Sequence, residues 1–531
     1  MKRIPWVLLL SLFIGSCAIP PSRPDAVYLI GRALEAMGPA GAVATLKTMT
    51  LTGTARFWEP EQSGVPGGEM RFANESTFEL ARDLDAGAAR IDWVRNFAYP
   101  APRTFKFSEI VTPEAGYVIG VDSNGRNRQS LSTKPAAHAM SGLRLAATQR
   151  ELQRASPALL QEMRLNADRV HAANDVVAGG VSHPAVRYEA GAVSFIVAFD
   201  PQTELPARIR TLDYDNVWGD VNYDLVLSDW RVVGGVRIPM RQKYELNGRV
   251  VIDVAVTAAT FNAPLAAGRF EAPAAVRAGA PRPATGAVPY QWVLRRQFIG
   301  TYMDSDNVSF DTQASPGLRL NEIARGVQHQ VGGTHHSLIV EMADHLVVFD
   351  APVTDAQSSW TIAAARAKYP EKPIRYLVLT HHHMDHVGGL RAYAALGATL
   401  VVGKGAGDHF RKVLRAPYRR NPDLQPIDLG GTRVLEVADR HVFDDGRRQV
   451  SAILFDNPHA AASLIGYVAD ARIAYVTDVY SPGGPPLPPK INPALQSVVS
   501  AVRRAGIQPL TFAGGHGGTA PYALLAGLAG K

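Results

Sequence analysis

Four histidines and an aspartate are packed into the six residues His381-His382-His383-Met384-Asp385-His386. They follow the apolar run IRYLVLT at 374–380 and precede Val387-Gly388-Gly389-Leu390. The run reads as a buried strand, and the loop beyond such a strand's C-terminal end is where an open α/β sheet presents ligands. His381 and His383 alternate, so an extended backbone turns both to one side. Asp385 and His386 come where the chain turns into a helix, and they can face a second position close by. His382 points away from the His381/His383 side, toward a supporting role or solvent. Neutral imidazoles suit zinc, and a carboxylate adds charge neutralisation for a second ion.

Twelve of the 15 histidines lie between 329 and 516. His335 and His336 sit where they can approach the same cleft, whereas His345, His409 and His441 read as surface residues. The single cysteine excludes a disulfide framework and a cysteine-based zinc site. Any metal must therefore be held by histidine and carboxylate. No serine or cysteine nucleophile is signalled.

The motif resembles that of the metallo-β-lactamase fold superfamily, and the resemblance covers roughly 318–531. GGTHHSLIVEMADHLVVFDAP at 332–352 is similar to that family's opening hairpin. The resemblance implies an α/β fold, a four-layer αβ/βα sandwich. It also implies a dinuclear site in which His381, His383 and His459 hold the first ion and Asp385, His386 and His516 the second. Asp478, after the strand-like RIAYVT, would bridge them. His459 lies in Asn457-Pro458-His459, and His516 stands between two pairs of glycines. One departure is Ala460-Ala461-Ala462-Ser463, where many members place Thr or Ser directly after the histidine. It bears on the support of His459 rather than on the metal.

The elements that position these residues fall into two halves. Residues 28–38 place Ile30, Ala33, Leu34 and Met37 on one helical stripe, stopped by Gly38-Pro39. From about 48 to 270 the chain is strand-like, with alternation at 193–199 and 221–227, a helical insert near 147–170, and an Asn247-Gly248 hairpin turn. This predicts a β-rich α+β domain at 25–271. Its element order, with phrases such as DWRVVGGVRIP, resembles the LolA/LolB-type lipoprotein-carrier half-barrel. Residues 272–289 contain 13 Ala, Gly or Pro and read as a linker between two separately cored units. The catalytic domain then spans 290–531, with its core from about 318.

Lys2 and Arg3 precede a 12-residue apolar run, too short for a spanning helix of about 20 residues. Ile14-Gly15-Ser16-Cys17 resembles a bacterial lipobox, which implies a signal peptide at 1–16, a lipid anchor on Cys17 and a tether at 17–24. The expected location is the periplasm, on the outer membrane, with a secreted soluble protein as the alternative. At 46% hydrophobic and 19% charged, the 531 residues exclude wholesale disorder and a polytopic membrane protein. The net charge of +7 comes with no dense Lys/Arg block, so no nucleic-acid partner is expected.

Together these features predict a metal-dependent hydrolase with two zinc ions per chain, iron or manganese being the other metals such ligands take. Zinc lowers the pKa of bound water toward about 7, and a hydroxide shared by the ions would attack an ester, lactone, thioester or β-lactam bond of a small molecule. Asp385 would orient that nucleophile and handle its proton. The alternatives are an iron-dependent persulfide dioxygenase or a metal nuclease on the same ligands, and, in another class, a lipid or lipoprotein carrier. An apolar ligand is a further expectation for the β-rich half.

Overall fold

The structure, a computed structural model, describes residues 25–99, 101–122, 137–285, 317–421 and 423–530. The lipobox with Cys17, the tether, linker residues 286–289 and the first residues of the second half up to 316 lie outside the described residues. Among those described, no helix is long and apolar enough to cross a membrane.

The helix Ala26–Met37 is capped by the Asp25 carboxylate, which accepts from the Val27 amide. It buries Ile30, Ala33 and Met37, one stripe at helical spacing, against the sheet that follows. That sheet has 13 antiparallel strands. Thr48–Glu59 lies in its middle, and the next five strands step outward to one edge at Ala137–Ala139. The helices Gly142–Arg154 and Leu159–Leu165 carry the chain across to the opposite edge, Val170–Ala172. From there the strands step back inward until Arg249–Phe261 pairs with Thr48–Glu59. The hairpin at Asn247-Gly248 forms between Val236–Leu246 and Arg249–Phe261, with both turn residues at positive φ (47° and 82°).

The second half is the four-layer α/β sandwich. A seven-stranded and a six-stranded sheet pack face to face around Leu338, Phe349, Val378, Val401, Leu464 and Tyr475. Helices Asp355–Lys368, Leu390–Ala394 and Gly407–Arg415 cover the outer face of the first sheet through Ile362, Leu390 and Phe410. Pro493–Arg504 and Tyr522–Ala529 cover the second through Val498, Val502 and Leu525. Strands such as Leu346–Phe349 and Ser463–Val468 are buried on both faces, which is why they read as unbroken apolar runs.

The two halves are joined by packing as well as by chain. Tyr214 and Val217 of the first half belong to the apolar cluster under the first sheet of the second. The fully buried Arg391 guanidinium donates to the carbonyls of Asn216, Val217 and Val413. Asp220 N donates to Pro417 O at 2.7 Å. Each half has its own main apolar cluster, and this seam is a contact between the two. Linker composition reports on the connection and carries no information about contacts elsewhere.

Candidate metal centre

The strand Ile374–Val378 ends beside Asp350, whose carboxylate accepts from Thr380 N (2.7 Å) and Thr380 Oγ1 (2.9 Å). With the strand end fixed, the extended backbone at His383 (φ −68°, ψ 142°) brings the His381 and His383 rings to 4.5 Å. The short helix Met384–Val387 then swings Asp385 and His386 to the adjoining position. Gly389, just beyond it at the start of Leu390–Ala394, lets the chain approach the helix Asp355–Lys368 closely: a Cβ there would lie 2.1 Å from Ser358 Oγ and 2.4 Å from Thr354 O.

His459 stands on a turn in which Asn457 Oδ1 accepts from the amides of His459 and Ala460. Ser463 donates to Ala460 O at 2.7 Å, so the displaced hydroxyl holds the loop rather than the imidazole. Asp478 sits just past Ile473–Val476 at φ 58°, left-handed and costly for a residue with a Cβ, and this aims its carboxylate into the cluster.

All seven expected ligands come together, in two groups. His381, His383, His459 and Asp478 form one; Asp385, His386, His516 and an eighth residue, His335, form the other. Within each, the ligand atoms lie within 4.8 Å of one another. Asp478 spans the two. Its Oδ2 is 2.8 Å from His459 Nε2 and 3.3 Å from His381 Nε2, while its Oδ1 is 2.9 Å from His386 Nε2 and 2.8 Å from His516 Nε2.

The donor set fits transition-metal ions. His383 Nδ1 is buried in the cluster without a hydrogen-bond partner, and His381 Nε2 and His459 Nε2 face the Asp478 carboxylate. Carbonyls set the tautomers: His383 Nε2–H donates to Ser63 O at 2.9 Å and His516 Nδ1–H to Thr334 O at 3.0 Å. That leaves the lone pairs of His383 Nδ1 and His516 Nε2 facing inward. Asp350 Oδ2 lies 3.3 Å from His386 Nδ1, the carboxylate–histidine pairing that orients a ligand.

Electrostatics agree. Burial, then the neighbouring His381, holds His383 well below its usual value, and burial followed by His516 pushes His335 down to about 4. Burial alone would raise Asp385 and Asp478, but the imidazoles around them, His386 first, hold both well below the usual carboxylate range. Burial likewise opposes charge on His386, yet Asp478 and then Asp385 outweigh it and hold its value well up. His335 and His383 are thus neutral and both carboxylates ionised, as a metal needs, while His386 carries a proton that a metal would have to displace.

His345 is buried at 6% exposure rather than on the surface, with Nδ1 against Asp344. His382 is 1% exposed and directs Nε2 to Ser63 O at 2.9 Å, which makes it a supporting residue. Sequence reasoning placed His335 near the cleft without a role, and it missed Asp350 and three residues of the β-rich half. Those three are Gln62, Ser63 and Tyr99. Gln62 Nε2 donates to Asp385 Oδ1 at 2.8 Å, and Tyr99 donates to Gln62 Oε1 at 2.6 Å.

Two face-to-face sheets between helical layers, with paired His/Asp groups at the strand ends, define a metal-dependent hydrolase fold. Residues 330–518 match the family model of the Metallo-beta-lactamase superfamily, so the second half carries a domain of that superfamily. Among solved structures the chain is similar to a metallo-β-lactamase from Pontibacter korlensis, with 18% identity and a TM-score of 0.30 over 39% of this chain and 95% of that one. It is also similar to the metallo-β-lactamase FIM-1 from Pseudomonas aeruginosa in its mono-zinc form (17%, 0.30, 40% and 93%). A flavodiiron core, Flv1 from Synechocystis sp. PCC6803, matches with 16% identity and a TM-score of 0.32 over 39% and 59%. No curated protein matches the sequence.

Proposed function

We propose that the protein is a dinuclear zinc hydrolase that opens an ester, lactone, thioester or β-lactam bond of a small molecule. We further propose that it works in the periplasm, held at the outer membrane by a lipid on Cys17. The observation that carries the catalytic reading is the Asp478 carboxylate, one oxygen toward each group of ligands. A carboxylate shared in this way offsets the repulsion of two cations. A bound zinc pair would supply water activated at neutral pH and a polarised scissile oxygen.

The chain's own residues do the rest. His381, His383 and His459 would hold one ion, and Asp385, His386 and His516 the other. Asp385, buried and ionised, receives the proton the attacking water gives up, at the oxygen 3.1 Å from His335 Nε2. The ring of His335 is held between that carboxylate and Thr334 Oγ1, which lies 2.7 Å from Nδ1.

The test is elemental analysis of chelator-free protein together with turnover of lactone, β-lactam, thioester and phosphodiester substrates. About two zinc ions per chain and hydrolysis of the acyl substrates are expected. A single iron without hydrolysis would replace this reading with the dioxygenase. For the location, Cys17→Ser should move the protein out of the membrane fraction or leave it unprocessed; unchanged membrane association would end the lipoprotein reading.

A further inference from the structure

The connection between strands Thr48–Glu59 and Arg71–Asp83 of the β-rich half runs along the metal-binding loop of the other half. Glu61, Gln62 and Ser63 are each less than 5% exposed there. Glu61 O accepts from Met384 N at 3.4 Å, Ser63 O from the imidazoles of His382 and His383, and Gly64 O from Ala461 N at 2.8 Å. Arg71, stacked 4.6 Å over the Tyr99 ring, donates to His459 O at 3.1 Å. Glu61, Ser63, Gly64 and Arg71 of the β-rich half thus touch residues at or beside ligands of both groups.

Resting on the dinuclear reading above, we propose that this connection is part of the metal centre. Gln62 is the positioning residue of Asp385, and through it sets how tightly the second ion is held. The chemistry of the chain Tyr99–Gln62–Asp385 runs in one direction. An ionised carboxylate only accepts, so the amide must present its NH2 to Asp385 and its oxygen to the phenol. The phenol is kept protonated by burial, then by the negative charges of Asp478 and Asp385, and it can only donate to that oxygen. Asp385 therefore selects one of the two amide orientations, and Tyr99 holds it by donating to the amide oxygen, so that the NH2 fixes Asp385 Oδ1. Oδ2 is fixed by His335, so the carboxylate is held at both oxygens before any ion arrives. No side chain of the catalytic half does what Gln62 does for Oδ1 among the described residues. The β-rich half, on this account, completes the site.

The experiment is titration of metal-free, full-length protein with cobalt(II), read by visible absorption and by competition with a chelator. Gln62→Leu, which removes the donor, should weaken the second ion about 10- to 100-fold while the first binds as before. Gln62→Glu, which sets a carboxylate against Asp385, should weaken it further, and Tyr99→Phe, which leaves the amide oxygen without its donor, should weaken it less. A residue that merely packs the loop would lower the thermal midpoint of all three proteins without changing the ratio of the two affinities. That result, or two ions bound by Gln62→Leu as by the parent, overturns the proposal. A parent that binds two ions but turns over no substrate sinks the hydrolase reading and leaves this readout standing. A parent that binds none removes both.

Discussion

Each half of the molecule buries charge, and each settles it differently. In the β-rich half the buried cations are arginines with carboxylates against them. Arg144 contacts Asp122 and Glu109, each at 2.6 Å, Arg150 meets Asp213 at 3.2 Å and Arg154 meets Glu151 at 3.2 Å. In the catalytic half Asp385 and Asp478 are enclosed by imidazoles, and burial holds those of His335, His381 and His383 neutral. An arginine closes the account of charge within the chain, because it stays protonated under all working conditions. An imidazole with its lone pair turned inward leaves the carboxylate in need of a cation from outside. The lesson is that the partner's chemistry, more than the burial of a carboxylate, separates a structural charge from a functional one.

The largest effect should come from breaking the uncompensated set. His381→Ala removes a ligand of the first group, and Asp478→Ala removes the carboxylate shared by both. Turnover should fall roughly 10³-fold or more in each, since several kcal/mol of charge stabilisation are at stake. Residual metal should differ: Asp478→Ala loses the second ion first, because that group has the greater share of carboxylate. Equal residual stoichiometry in the two variants would count against a bridging role.

The compensated set makes the opposite prediction. Arg144→Met leaves Asp122 and Glu109 buried beneath the helix Gly142–Arg154 without their guanidinium. Removing one side of such a pair costs about 3–5 kcal/mol. Chemical denaturation should show that loss while the folded protein still binds two ions with unchanged relative affinity. Loss of metal at full stability would mean that this arginine network also serves the site.

The same contrast explains what was legible from the sequence. Ligands are residue types with narrow uses, and their spacing follows from strand alternation and one helical turn, so HHHMDH stood out and His459, Asp478 and His516 followed in order. Strands buried on both faces announced themselves as apolar runs, and the positive φ of Asn247-Gly248 announced a hairpin. His335 was harder, since a histidine on a hairpin turn has no spacing to the motif. Gln62 and Ser63 could not be found at all. Gln62 lies 323 residues before the carboxylate it holds, and Ser63 acts through a backbone carbonyl, which every residue has. The 13-strand extent of the β-rich sheet was likewise hidden, because alternation marks strands one at a time and says nothing of their order.

The smallest effect concerns Asp423, a carboxyl near the seam between the halves that has neither an arginine nor a metal group. Among the described residues it forms no ion pair, and it sits near Asp355, which already accepts from Tyr214 of the β-rich half and from Asn421. Burial first, and then the charge of Asp355, pushes its carboxyl up to about 7 from an ordinary value of 3.8. A half-buried carboxylate lacking either kind of cation thus takes a proton instead. The folded state holds that proton in a range where the unfolded chain has released it. The contribution to stability is therefore complete below pH 4 and declines as pH rises through 7. Because Asp423 is only partly buried, the effect should be about 1–2 kcal/mol between pH 5 and pH 8. Asp423→Asn keeps the shape and the neutral state at every pH, so unfolding curves at the two pH values should draw together by that amount. If wild type and variant lose stability in parallel between pH 5 and pH 8, the proton is not on Asp423, and this third way of settling buried charge is absent from the seam.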